Sequence, residues 1–169
     1  MRVAFLDRDG TINKDYSDEK WRVIKEPEIL EGSIEGLKYL KRQGFEFIIV
    51  TNQYIIGDGY ITLESYNKFN NKLIEILKNN SIEIIDVFYC PHSKREKCNC
   101  NKPKPGLIQQ ALEKYKSIDM KNSILIGDSK CDEELANLFK LDFYGLGVDC
   151  ENRIDSIIEI SKYIKEPSL

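Results

Sequence analysis

The sequence predicts an α/β protein whose parallel sheet is covered by helices on both faces. Two observations carry that expectation. Short apolar runs alternate with longer segments of helical periodicity along most of the chain. Polar residues capable of chemistry follow directly after the apolar runs, as expected where a ligand sits beyond the carboxyl ends of parallel strands.

Taken in order, residues 2–6 read as a first strand. Residues 32–43 (GSIEGLKYLKRQ) place Ile34, Leu37, Tyr39 and Leu40 at helical spacing before the stop at Gly44. Residues 45–50 (FEFIIV) are a strand, and residues 63–79 carry Tyr66, Phe69, Leu73, Ile76 and Leu77 on a helical stripe. Residues 82–89 are a third strand, and 105–115 a helix with proline in its first turn. A strand over 123–126, a helix over 132–140, a strand over 141–146 and a terminal helix over 154–164 complete the order β-α-β-α-β-loop-α-β-α-β-α. Residues 15–31 and 90–104 are the two longest irregular stretches, and loops of that length usually carry function.

With 169 residues, one domain spanning 1–169 is expected. Hydrophobic residues make up 41% and charged residues 31%, ordinary for a globular protein. A net charge of -3 and a pI near 5.4 disfavour a nucleic-acid partner held by a basic surface. No apolar run approaches the ~20 residues of a membrane span, and the first residues lack a secretory pattern. The expectation is a cytoplasmic protein with no membrane partner. With no sign of a large exposed apolar face, it is also expected to be a monomer.

Four segments carry chemistry. In Asp7-Arg8-Asp9-Gly10-Thr11, alternation along a strand would turn both carboxylates to one side, where a hard cation such as Mg2+ would relieve their repulsion. In Val50-Thr51-Asn52-Gln53, the strand-end threonine can hold a phosphoryl oxygen, though a turn residue would look the same. In Asn101-Lys102-Pro103-Lys104-Pro105-Gly106, a lysine ahead of a helix start can neutralise a phosphate. In Gly127-Asp128-Ser129-Lys130-Cys131-Asp132, two acids after an apolar strand could complete a magnesium site or cap a helix.

Three of the five cysteines cluster with the only histidine: Cys90, His92, Cys98 and Cys100. One imidazole and three thiolates suit tetrahedral structural Zn2+, and the clustered, odd set is a poor disulfide framework. Such a closed site would stiffen the loop of residues 90–104 rather than react. Cys131 and Cys150 remain as free thiols.

In this order, FLDRDGTIN, VTNQ, the Cys-Pro-His…Cys-x-Cys-x-Lys-Pro-x-Pro-Gly segment and GD-x-x-x-D resemble the haloacid dehalogenase superfamily of phosphatases. Within it they resemble the small subgroup of heptose-bisphosphate and histidinol-phosphate phosphatases. The resemblance runs from Arg2 to about Gly147. It implies a three-layer Rossmann-like fold with no large cap domain. The gaps after Asp9 and Thr51 are too short to hold one. It also implies the zinc loop. Asp7 then matches the nucleophile and Asp9 the general acid and base. Thr51 matches the phosphoryl-oxygen donor, with Asn52 beside it, and Lys102 the cation of the third motif. Asp7, the backbone carbonyl of Asp9, and Asp128 match the Mg2+ ligands. Asp132 matches the last acid, near the metal or orienting Lys102.

The implied activity is phosphomonoester hydrolysis on a small phosphorylated metabolite, the 7-phosphate of a heptose 1,7-bisphosphate or the phosphate of histidinol phosphate. Three positions depart from the subgroup's pattern. Asn101 stands where an arginine usually contacts substrate, and Tyr54-Ile55 replace two small residues. The loop from Asn13 to Pro27 carries Lys14, Lys20, Trp21, Arg22 and Lys25, which are candidates to touch a second phosphate or a sugar.

Overall fold

The computed structural model describes residues 1–165. Its strands are β1 (Arg2–Leu6), β2 (Phe45–Asn52), β3 (Ile84–Cys90), β4 (Ile124–Gly127), β5 (Asp142–Leu146) and β6 (Arg153–Ile154). The helices are α1 (Asp18–Trp21), α2 (Ser33–Arg42), α3 (Tyr54–Gly57), α4 (Leu63–Asn79), α5 (Gly106–Lys114) and α6 (Lys130–Leu138). The strands form one sheet in the order β3-β2-β1-β4-β5-β6, and every pairing is parallel. Strand order therefore reverses direction at β1 and β4, and a crevice opens there beyond the strand ends.

Period-two alternation sorts the strand side chains onto two cores. Ala4, Leu6, Phe47, Ile49 and Ile126 face one side and pack under Leu37 and Leu40 of α2, Leu73 and Leu77 of α4, and Ile157 and Ile160. Val3, Phe5, Ile48, Val50 and Leu125 face the other side, under Leu107, Ile108 and Ala111 of α5 and Leu135 and Ala136 of α6. A third, smaller cluster of Trp21, Ile55 and Phe69 lies outside both layers, where α1, α3 and α4 meet. No large domain is inserted after Asp9 or Thr51 among the described residues; those segments hold only α1 and α3.

Three expectations need correction. The terminal helix expected over 154–164 is instead strand β6 followed by a 3-10 helix, Ile157–Lys162. Residues three apart eclipse in a 3-10 helix, so Ile157 and Ile160 share one buried face. Their backbone abuts α2 at Gly36, where an added Cβ would lie 2.5 Å from the carbonyl carbon of Ile157. Helix α6 starts at Lys130 rather than 132, because Ser129 caps it and Asp132 closes the capping box from the third position. The stretch 15–31 contains a short helix, α1, and Tyr54–Gly57 forms another. No helix among the described residues is long and apolar enough to cross a membrane.

Candidate active site and Cys/His knot

Asp7 follows β1 and is buried. Its Oδ1 accepts a hydrogen bond from Lys102 Nζ at 2.7 Å. The same ammonium donates to Asp132 Oδ1 at 2.7 Å and to the Val50 carbonyl at 2.9 Å, so all three of its N–H bonds are used. The second oxygen of Asp132 accepts from the backbone N–H and hydroxyl of Ser129, at 3.2 and 2.7 Å. Helix α6 thus holds Asp132, and Asp132 orients Lys102. The Lys102 backbone is fixed as well: its N–H donates to Asn52 Oδ1 at 2.8 Å, and its carbonyl accepts from Asn52 Nδ2 at 3.2 Å.

Carboxylates of Asp7, Asp128 and Asp132 lie within 4.8 Å of one another. Three carboxylates face one ammonium, and the electrostatics record the imbalance. Burial, followed by repulsion from Asp132 and Asp128, lifts Asp7 well above the usual carboxylate range even though Lys102 pulls the other way. Asp128 is also raised, chiefly by burial. Lys102 is raised because Asp132 and Asp7 outweigh the cost of burying it. A divalent cation with oxygen ligands would remove this surplus of negative charge, so the donor set fits Mg2+. Gly10, at φ +84°, makes room for the Asp128 carboxylate: a Cβ there would lie 2.0 Å from Asp128 Oδ2.

Asp9 opens onto the same crevice as Asp7 but has hydrogen-bond partners of its own. The two carboxylates share no hydrogen-bond partner. Asp9 Oδ1 accepts from Arg8 Nε and Asn13 Nδ2, at 2.9 and 3.0 Å; Oδ2 accepts from Arg8 Nη2 and Gln53 Nε2, at 3.0 and 2.8 Å. Its carboxylate stands outside the cluster formed by Asp7, Asp128 and Asp132.

An open crevice of about 670 Å³ gathers Asp7, Asp9, Thr51, Asn52, Lys102 and Asp128 with Asp15, Asp18, Trp21 and Tyr54. Thr51 is buried, and its Oγ1 accepts from Gln53 Nε2 at 2.9 Å. Asn101 does not line the crevice. Of the loop candidates only Trp21 lines it: Lys14 pairs with Glu28, Lys20 lies over Tyr16 and Arg22 over Tyr60. Sequence reasoning assigned nothing to Arg8, Gln53, Asp15 or Asp18. For Arg8 and Gln53 the available signal was their place inside two motifs; for Asp15 and Asp18 there was none.

The knot lies at the end of β3. His92 Nδ1 is 3.4 Å from Cys90 Sγ and 3.1 Å from Cys100 Sγ; Cys90 Sγ is 3.6 Å from Cys98 Sγ and 3.0 Å from Cys100 Sγ. A tetrahedron with Zn–S bonds of about 2.3 Å has edges of about 3.8 Å, so these four donors could close on zinc with small outward shifts. Burial opposes ionisation of Cys98, yet the backbone N–H groups of Asn101 and Cys100 outweigh it and bring the thiol down to about 7. Cys131 and Cys150 are free and stand apart from the knot.

A family profile described as "Polynucleotide kinase 3 phosphatase" matches residues 2–145. A protein of Thermoplasma volcanium, named probable D-glycero-D-manno-heptose-1,7-bisphosphate 7-phosphatase, is 40% identical over 146 residues, covering 85% of this chain and 97% of that one. The histidine biosynthesis bifunctional protein HisB of Campylobacter jejuni subsp. doylei is 34% identical over 138 residues, covering 81% of this chain and 39% of that one. The chain belongs to this phosphatase family, within the haloacid dehalogenase superfamily, and to the heptose-bisphosphate and histidinol-phosphate phosphatase subgroup. Like others of the superfamily it is a phosphatase. Its fold matches the crystal structure of D,D-heptose 1,7-bisphosphate phosphatase from B. bronchiseptica, complexed with magnesium and phosphate, with a TM-score of 0.82 at 21% identity over 96% of this chain and 97% of that one.

Proposed function

We propose that this phosphatase hydrolyses a small phosphomonoester through an aspartyl-phosphate on Asp7, and that its substrate is D-glycero-D-manno-heptose 1,7-bisphosphate, losing the 7-phosphate. The observation that carries the chemistry is the Asp7–Lys102–Asp132 bridge inside a crevice with surplus negative charge. In the first step an Asp7 oxygen bonds to phosphorus as the ester P–O bond breaks, and the departing oxygen takes a proton from Asp9. In the second, Asp9 takes a proton from water, water oxygen bonds to phosphorus, and the Asp7 carboxylate and inorganic phosphate are released. Lys102 offsets charge on the phosphoryl oxygens, and Thr51 donates to one of them. Mg2+ held by Asp7, Asp128 and the Asp9 carbonyl would supply further charge neutralisation. Zn2+ held by Cys90, His92, Cys98 and Cys100 would fix the loop that ends in Lys102.

The heptose substrate is carried over from the Thermoplasma relative, which this chain covers almost entirely. One observation favours a second reading. The outer wall of the crevice presents the carboxylates Asp15 and Asp18 beside Trp21 and Tyr54, an arrangement suited to an amine as well as to hydroxyls. Histidinol phosphate carries such an amine. Phosphate release with Mg2+ from both anomers of the heptose bisphosphate and from histidinol phosphate separates the two. At least a tenfold preference in kcat/KM for a heptose anomer is expected. The reverse preference assigns the second reading, and inactivity on all three discards both.

A further inference from the structure

Arg8 is one of the largest fully buried side chains in the molecule, only 1% exposed, and the chemistry above gives it no task. Burying a guanidinium is costly unless it is paired and hydrogen-bonded. Here its fork donates twice to Asp9, through Nε to Oδ1 at 2.9 Å and Nη2 to Oδ2 at 3.0 Å. Three aromatic rings enclose it: Phe69, Tyr66 and Trp21, with centroids 4.9, 5.2 and 5.9 Å from Cζ. Arginine suits such a cage because its planar, weakly hydrated cation stacks on rings while its edge still donates. The backbone is tied down too, since the Arg8 carbonyl accepts from the N–H groups of Thr11, Ile12 and Asn13.

We propose that Arg8 is a positioning residue for proton transfer, fixing the Asp9 carboxylate where it can protonate the departing oxygen. The inference rests on the reading of Asp9 as the acid. In the first step the P–O ester bond breaks as the Asp7–phosphorus bond forms, and the electron pair left on the ester oxygen takes a proton from Asp9, which carries it on Oδ2 in place of the Gln53 Nε2 contact while the Arg8 fork is kept. An alkoxide needs that proton; p-nitrophenolate, a stable anion, needs it little. A residue that merely supports the fold would affect both alike.

The test is the single-turnover rate of leaving-group release with Mg2+, in which hydrolysis of the aspartyl-phosphate plays no part. Alkyl phosphate (the best of the three substrates above) is compared with p-nitrophenyl phosphate. Arg8→Met should slow release from the alkyl phosphate by about 100-fold and from the aryl phosphate by less than about 5-fold. Arg8→Lys, which keeps the charge but loses the fork, should show the same pattern and serves if Arg8→Met does not fold. In an Asp9→Asn background, Arg8→Met should cost nothing further on the alkyl phosphate. Equal losses on both substrates from the Arg8 variants, while Asp9→Asn alone discriminates between them, would overturn the positioning role. Asp9→Asn slowing both substrates equally would instead remove the acid assignment beneath it.

Discussion

Two clusters of side chains able to hold a metal ion lie beyond the strand ends, and they are built in opposite ways. The Cys90, His92, Cys98 and Cys100 ligands fall within eleven residues on one loop, whereas Asp7, Asp128 and Asp132 come from opposite ends of the chain. The first is a local knot that organises the loop it belongs to. The second exists only after β1 and β4 have paired, and it concentrates negative charge that the fold itself must offset. Damage to the knot should therefore loosen one loop, and damage to the carboxylates should change chemistry and charge while the sheet stays intact.

The sharpest contrast comes from Asp7→Asn. Phosphate release should fall by about 10³-fold or more, because the nucleophile is lost. The melting temperature in EDTA should not fall, because a buried carboxylate raised by desolvation has been replaced by a neutral isostere. Retained activity in a clean preparation would refute Asp7 as nucleophile. Lys102→Met should cost both properties: activity by about 100-fold or more, and stability by about 3–5 kcal/mol, since Asp7 and Asp132 are left facing each other without their shared cation. Chemical denaturation with coincident activity measurements checks it; full stability would mean the ion bridge contributes nothing to the fold.

A milder effect is expected when zinc is stripped by a chelator. KM should rise by roughly tenfold while kcat changes less, because the knot holds the loop leading into Lys102 and takes no part in the chemistry. Cobalt substitution should produce a thiolate-to-metal absorption band that disappears in Cys90→Ser and persists in Cys131→Ser. Unchanged activity after verified zinc removal would break the link between the knot and the site.

The last effect concerns pH. Burial raises Asp7 and Asp128, so between the unfolded carboxylate range near 4 and the raised native values the native state binds more protons than the unfolded chain. Stability of the metal-free protein therefore falls as pH rises through that window. Saturating Mg2+ should restore about 2–3 kcal/mol at pH 8 and less at pH 5. Equal gains at both pH values would mean the carboxylates do not bind the ion as charged ligands.

The same contrast governs what the sequence reveals. The knot could be read directly, because thiols and imidazole close together in sequence must be close in space. The sheet was legible from its apolar runs, apart from β6, whose two residues are too few to show a period. The carboxylate site appeared as four separate motifs in the right order. Its internal wiring did not: that Asp132 and Asn52 both serve Lys102 depends on how α6 and β2 converge. Arg8 drew no notice, because nothing local announces a buried arginine.

Asn52 grips both the N–H and the carbonyl of Lys102, so the lysine's position is set from β2 as well as from the knot, and not by the length of the loop tip between the knot's ligands. That makes the exposed Lys94–Lys97 tip an interchangeable part. It could be lengthened, shortened or grafted from a relative to retune which molecules the crevice admits, while the reacting groups keep their places.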